Sequence, residues 1–157
     1  TPGDVAGFVG GYIARFAGKS ASIESCPLVC DPSCGTGVLL RACIRNVFLR
    51  GYCTTAEELV NLIVGLDIDP VCRPKSAAVV AIEVAVRTKK KRNVWDIYCR
   101  ALRRHFVVDF IRDELPPLAR CASAVIANPP YASIPSGGAL HRSRHHARKF
   151  RPGCRWI

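Results

Sequence analysis

Apolar positions along the chain fall into two patterns, helical spacing and short continuous runs. Val5, Phe8, Val9, Tyr12, Ile13 and Phe16 fall at helical spacing and predict an N-terminal helix with one apolar face. Thr1 can cap it, Pro2 suits its first turn, and Asp4 favours its positive end. A loop is expected over residues 20–25. Residues 28–31 then form a short apolar run ending in an acid, which reads as a buried strand. Gly35 and Gly37 lead into an apolar helix over 38–49. Thr55 with Glu58 has the spacing of a capping box at the start of a short helix ending near Asn61. Residues 62–67 predict a second buried strand. Pro70 opens an Ala- and Val-rich helix reaching about Val86, and the basic run 89–92 ends it. Residues 105–109 and 122–127 predict a third and a fourth strand. Strands alternating with helices imply an α/β fold with a mostly parallel, doubly wound sheet.

Composition adjusts this picture modestly. At 157 residues the chain fits one domain, and 49% hydrophobic residues argue against disorder. Methionine is absent and the first residue is Thr1, so the chain reads as a segment of a longer product. The cysteine count, nine, is odd, and no secretory signal is visible. The cysteines therefore read as small buried hydrophobes of a reducing compartment, not as a disulfide framework. Cys26, Cys30 and Cys34 stand four apart, unlike the close pairs of zinc sites, and no metal is expected. No apolar run is long enough to span a bilayer.

The formal net charge is +11. Six of the 23 basic residues, Arg142, Arg144, Arg148, Lys149, Arg151 and Arg155, fall after Tyr131, with no acidic residue among them. Residues 132–157 thus read as a basic tail, disordered or out of frame, behind a region of modest charge over 1–131. A basic tail can contact phosphates, but charge alone names no function.

Three motifs carry chemistry. Asp31-Pro32-Ser33-Cys34-Gly35-Thr36-Gly37 sits between a strand and a helix, where glycines let a ligand approach the backbone. It lacks the third glycine of the dinucleotide fingerprint and the lysine of a P-loop. Gly65-Leu66-Asp67-Ile68-Asp69-Pro70 places an acid at the tip of the second strand, where a carboxylate can accept from ribose hydroxyls. Asn128-Pro129-Pro130-Tyr131 follows the fourth strand. Its prolines fix the backbone and remove two donors, leaving carbonyl oxygens and the Asn128 side chain as acceptors for an amino group. Tyr131 adds a flat face for stacking.

In this order, with Thr1-Pro2 before the first helix and Asp109-Phe110 after the third strand, the motifs resemble those of S-adenosylmethionine-dependent amino-methyltransferases. The likeness is strongest to the adenine-N6 DNA methyltransferases of restriction-modification systems in the gamma arrangement, and it covers residues 1–131. The resemblance implies a Rossmann-like methyltransferase fold, here cut short after the fourth strand, whose outer edge would be exposed. It implies S-adenosylmethionine as cofactor. Thr1 would lie against its methionine part, and Asp31, Pro32, Cys34, Gly35 and Gly37 would floor the pocket. Asp67 would hold the ribose hydroxyls and Ile68 would pack on the adenine ring. Asp109 would accept from the ring's amino group, with Phe110 on the ring face. Asn128 and the Pro129 carbonyl would accept from the target adenine's amino group, on a backbone fixed by Pro129 and Pro130, with Tyr131 stacked on the flipped base.

The implied partner is double-stranded DNA with one adenine flipped out, read through a specificity subunit or a target-recognition domain outside these motifs. The implied setting is the bacterial or archaeal cytoplasm, in restriction-modification or phage defence, with no membrane. The segment alone is expected to bind cofactor weakly at best and not to methylate DNA. Two other readings remain open at this stage: methylation of a protein glutamine or an RNA base, and a non-catalytic remnant that binds nucleic acid through its tail.

Overall fold

A computed structural model describes residues 3–17, 29–89, 93–128 and 155–156. The elements are, in order, α1 (Gly3–Ala17), β1 (Val29–Asp31), α2 (Val38–Leu49), α3 (Ala56–Asn61) and β2 (Ile63–Asp67). They continue with α4 (Cys72–Thr88), α5 (Val94–Leu102), β3 (His105–Val107), α6 (Pro117–Arg120), β4 (Ala124–Val125) and β5 (Arg155–Trp156). All strand pairings are parallel, in the order β3-β2-β1-β4-β5. The fold is therefore α/β and Rossmann-like, as the alternation of elements predicts. No helix among the described residues is long and apolar enough to cross a membrane.

Burial on both faces explains why the strands are continuous apolar runs instead of alternating ones. Val29 and Ile63 point into a large core built with α1 to α5. Cys30, Val64, Leu66 and Val125 point to the other face, where Val108, Leu115, Ala119 and Ala122 cover them. Cys30, Cys43 and Cys53 are buried and form no disulfide. The capping box at α3 forms as its spacing predicts. Glu58 N donates to Thr55 Oγ1 at 3.2 Å, and Glu58 Oε2 accepts from Thr55 N at 2.9 Å.

Several expectations need correction. The strands are shorter than their apolar runs: β3 stops at Val107, and β4 covers Ala124–Val125 only. The outer edge of β4 is not bare, because Arg155–Trp156, from the basic tail, pairs with it. Residues 94–102, unassigned from sequence, form α5, which buries Ile97 and Ala101 at an i, i+4 spacing.

The predicted apolar face of α1 is also rotated. Ala6 and Ile13 are buried, with Val9 partly so, whereas Val5, Phe8 and Tyr12 are exposed. The side chain of Phe16 lies outside the described residues. The reason is steric. α1 crosses α2 at Gly10, where an added Cβ would sit 2.5 Å from the Ala42 carbonyl oxygen and 2.8 Å from Asn46 Nδ2. The helices approach through their smallest residues, and that contact, not the bulkiest stripe, sets which face turns inward.

The same helix offers an internal comparison. A Cβ at Gly7 would meet nothing within 4 Å. Gly7→Ala should raise stability by up to about 1 kcal/mol through helix propensity. Gly10→Ala should lower it by about 1–3 kcal/mol, because the obstructing atom belongs to backbone. Urea denaturation of the two variants checks the opposite signs.

Candidate functional site

The strand order reverses between β1 and β4: successive strands run outward from β1 to β3, and the chain then returns to the other side of β1. Ligand sites in open α/β sheets form at such a switch point, outside the carboxyl ends of the strands. All of the described sequence-predicted site residues lie on that edge. Thr1, Pro129, Pro130 and Tyr131 lie outside the described residues.

The loop after β1 is held to β2 by two long-range bonds. Cys34 N donates to Leu66 O at 2.8 Å, and Gly35 N donates to Asp67 Oδ2 at 2.7 Å. The second acceptor oxygen of Asp67, Oδ1, takes Asp69 N at 3.0 Å. Gly35 and Gly37 adopt φ of 52° and 83°, which only glycine enters without penalty. Gly37 is also pinned sterically, since a Cβ there would fall 2.5 Å from Ser76 Oγ on α4. Gly35 has open space where its Cβ would be. Pro32 is buried and stiffens the turn.

Asp31 is 1% exposed at the end of β1, with Oδ1 accepting from Ser33 N at 3.1 Å. Burial pushes its carboxyl up to about 7. The Ser33 N–H works the other way, and the neighbouring Asp67 charge adds to the rise. Burial likewise pushes the Cys34 thiol up to about 12, so it is a small packed group and not a nucleophile.

The other two strand tips join the same edge. Val108 N donates to Asp67 O at 2.9 Å, which sets the chain after β3 beside β2. Asp109 follows in a tight turn, not in the strand as predicted. Its Oδ1 accepts from Ile111 N and Arg112 N, and Arg112 Nε is 3.7 Å from Oδ2. Part of its acceptor capacity is thus spent locally. Phe110 packs partly against the second core. Ile68 is 66% exposed beside Asp67, free of the core. Ile126 N donates to Cys30 O at 2.9 Å, which carries the chain after β4 past the end of β1 toward the half-buried Asn128.

The edge brings Asp31, Cys34, Gly35, Gly37, Asp67 and Ile68 together closely. Asp109 and Asn128 flank them on adjacent tips. Two residues that no motif flags also belong here: Ser76 beneath Gly37, and His105, bonded to Ser76 at 2.9 Å. Neither has a local signal, because the pair is 29 residues apart in sequence.

The free acceptor positions of this edge suit a ligand that carries hydroxyl or amino hydrogens. A carboxylate offers about four lone-pair sites, so Asp67 keeps two after binding Gly35 N and Asp69 N. Gly35 leaves an open cradle above the loop. Among the described residues, Ser33 Oγ is a buried hydroxyl without a hydrogen-bond partner, within the same loop. No protein-family model matches the chain, and no curated protein matches it in sequence.

Asp31 makes a pH prediction. Between its ordinary value of 3.8 and about 7 the folded state holds a proton that the unfolded state has released. Stability from this group is present in full below the ordinary value and is lost as pH rises through about 7. The slope is at most ~1.4 kcal/mol per unit. Asp31→Asn keeps the acceptor for Ser33 N and cannot ionise. Denaturant curves from pH 5 to pH 8 should fall with pH for the wild type, with the variant lacking this component of the slope.

Proposed function

We propose that residues 1–131 form the cofactor-binding and catalytic-motif region of an S-adenosylmethionine-dependent DNA methyltransferase acting on adenine N6. The observation that carries this reading is Asp67. An acid at the tip of β2 is bonded directly to the glycine loop after β1, with its remaining lone pairs available at the switch point. Asp109 and Asn128 on the neighbouring tips support it.

When bound, S-adenosylmethionine supplies an electrophilic methyl group on a sulfonium sulfur. Asp67 holds ribose hydroxyls, while Gly35 and Gly37 give the amino acid part close access to the backbone. The free oxygen capacity of Asp109 accepts from the adenine amino group, and exposed Ile68 covers the ring. The target adenine's amino nitrogen is conjugated and weakly nucleophilic. Two acceptors, the Asn128 side-chain oxygen and the Pro129 carbonyl, would accept hydrogen bonds from it and direct its lone pair toward the methyl group; the sulfonium would leave as a neutral thioether and the extra amino proton would pass to solvent. Catalysis then rests on positioning and electrostatics. Stacking on Tyr131 offsets about 1–3 kcal/mol of the cost of flipping the base. The substrate is duplex DNA, with its sequence read by a specificity subunit or recognition domain, and the setting is cytoplasmic.

Ultraviolet cross-linking of labelled S-adenosylmethionine tests the reading. Asp67→Asn removes the charge and one acceptor, and each hydrogen bond to a charged group is worth about 1.5–3 kcal/mol. Labelling should fall about tenfold or more. Glu57→Ala, on α3 near the opposite edge of the sheet, should label like wild type. Equal labelling of the wild type and Asp67→Asn would contradict the proposal.

A further inference from the structure

Beneath the candidate loop lies a buried polar pair that no motif uses. His105, the first residue of β3, is 1% exposed, and Ser76, near the start of α4, is fully buried. His105 Nδ1 lies 2.7 Å from the Ala101 carbonyl oxygen. A carbonyl only accepts, so Nδ1 carries the ring proton and Nε2 presents a lone pair. The Ser76 hydroxyl, 2.9 Å from Nε2, is therefore the donor. Its single proton is committed and its direction is fixed.

Two glycines enclose the pair. At Gly37 an added Cβ would fall 2.5 Å from Ser76 Oγ and 3.1 Å from Ser76 Cα. At Gly65, in the middle of β2, it would fall 2.5 Å from His105 Cδ2 and 2.8 Å from Nε2. The Cys34 thiol, in the same loop, donates to Gly35 O at 3.9 Å. The pair thus spans the space between β3, β2, α4 and the 34–37 loop. Arg73 secures its far side, donating from Nε to His105 O at 2.8 Å and from Nη2 to Leu102 O at 3.3 Å. The charged groups acting on the imidazole are Arg73 from α4 and Arg104 ahead of β3. With burial as the larger cause, they hold its pKa down at about 4, against the opposing Ala101 bond.

We propose that Ser76 and His105 are positioning residues for the cofactor loop: the imidazole fixes the Ser76 hydroxyl, and the side chain so fixed packs under Gly37 and seats the loop against α4. The proposal rests on the reading of this loop as the S-adenosylmethionine seat. It adds that the loop's shape is set from β3 and α5, elements outside every motif.

Two conservative variants separate positioning from bulk stability. His105→Gln can present an amide oxygen where Nε2 lies, keeping the acceptor for Ser76. His105→Asn reaches only the Nδ1 position, keeping the donor to Ala101. Each loses one hydrogen bond, so their melting temperatures should fall alike, but only the second releases Ser76. Amide hydrogen exchange of Cys34, Gly35 and Gly37, measured without ligand, should accelerate about tenfold in His105→Asn and Ser76→Ala but not in His105→Gln. Cofactor affinity, measured by calorimetry with S-adenosylmethionine, should fall about tenfold in the same two variants. Equal exchange in the Gln and Asn variants overturns the proposal, as does unchanged exchange in Ser76→Ala, which decides alone if His105→Asn does not fold. Separated exchange rates with the same cofactor affinity in wild type, His105→Asn and Ser76→Ala uphold the positioning of the loop and overturn its reading as a cofactor seat.

Discussion

One carboxylate organises the working edge of this fold. Asp67 sits at the tip of β2 and accepts the Gly35 amide across the sheet at 2.7 Å. A hydrogen bond to an ionised acceptor is worth about 1.5–3 kcal/mol, the scale needed to hold a loop of two left-handed glycines in one shape. With Cys34 N on Leu66 O, it joins the turn after β1 to the turn after β2, so the two motifs act as one unit. The same charge has a cost. It opposes ionisation of buried Asp31 next to it, adding to the burial that raises that group to about 7. A positively charged ligand at this edge would relieve both carboxylates.

The supporting structure explains why the edge is rigid. Parallel strands covered on both faces leave their carboxyl ends as the place where several chain segments converge without a helix over them. α4 runs beneath the loop, and its Ser76 fills the space that Gly37 leaves. Glu83, further along α4, is 6% exposed and bonded to both Arg41 and Arg87, tying α4 to α2. The loop is thus bounded laterally by Asp67 and below by Ser76, with Gly35 left open above.

Much of this was legible in sequence, and the failures share a cause. Short apolar runs, three of them ending in acids, located the four main strands, because parallel strands need apolar residues on both faces. The α3 capping box was legible because its bonds are local. The turn of α1 was not, because the deciding atom is the Ala42 carbonyl oxygen, more than 30 residues away from Gly10. α5 carries a readable i, i+4 pattern at Ile97 and Ala101, but it lies behind the basic run 89–92, which reads as an ending. Asp109 was placed on the right edge, yet its local bonds to Ile111 and Arg112 depend on a turn that an apolar run does not announce. His105 was read only as a strand residue, since its partner on α4 cannot be inferred from spacing.

The net charge proves a poor guide to the site. More than half of it belongs to the segment after Tyr131, whereas the candidate edge is acidic, with Asp31, Asp67, Asp69 and Asp109 at its strand tips. An acidic edge suits a sulfonium and an ammonium better than a phosphate, which favours the motif reading over a charge-based one. The proposed function places S-adenosylmethionine at this edge and at no other surface. Backbone amide chemical shifts recorded during titration with S-adenosylmethionine test it most directly. The account predicts that the largest changes fall on residues 33–37, 67–69 and 109–110. Changes confined to other surfaces would contradict it.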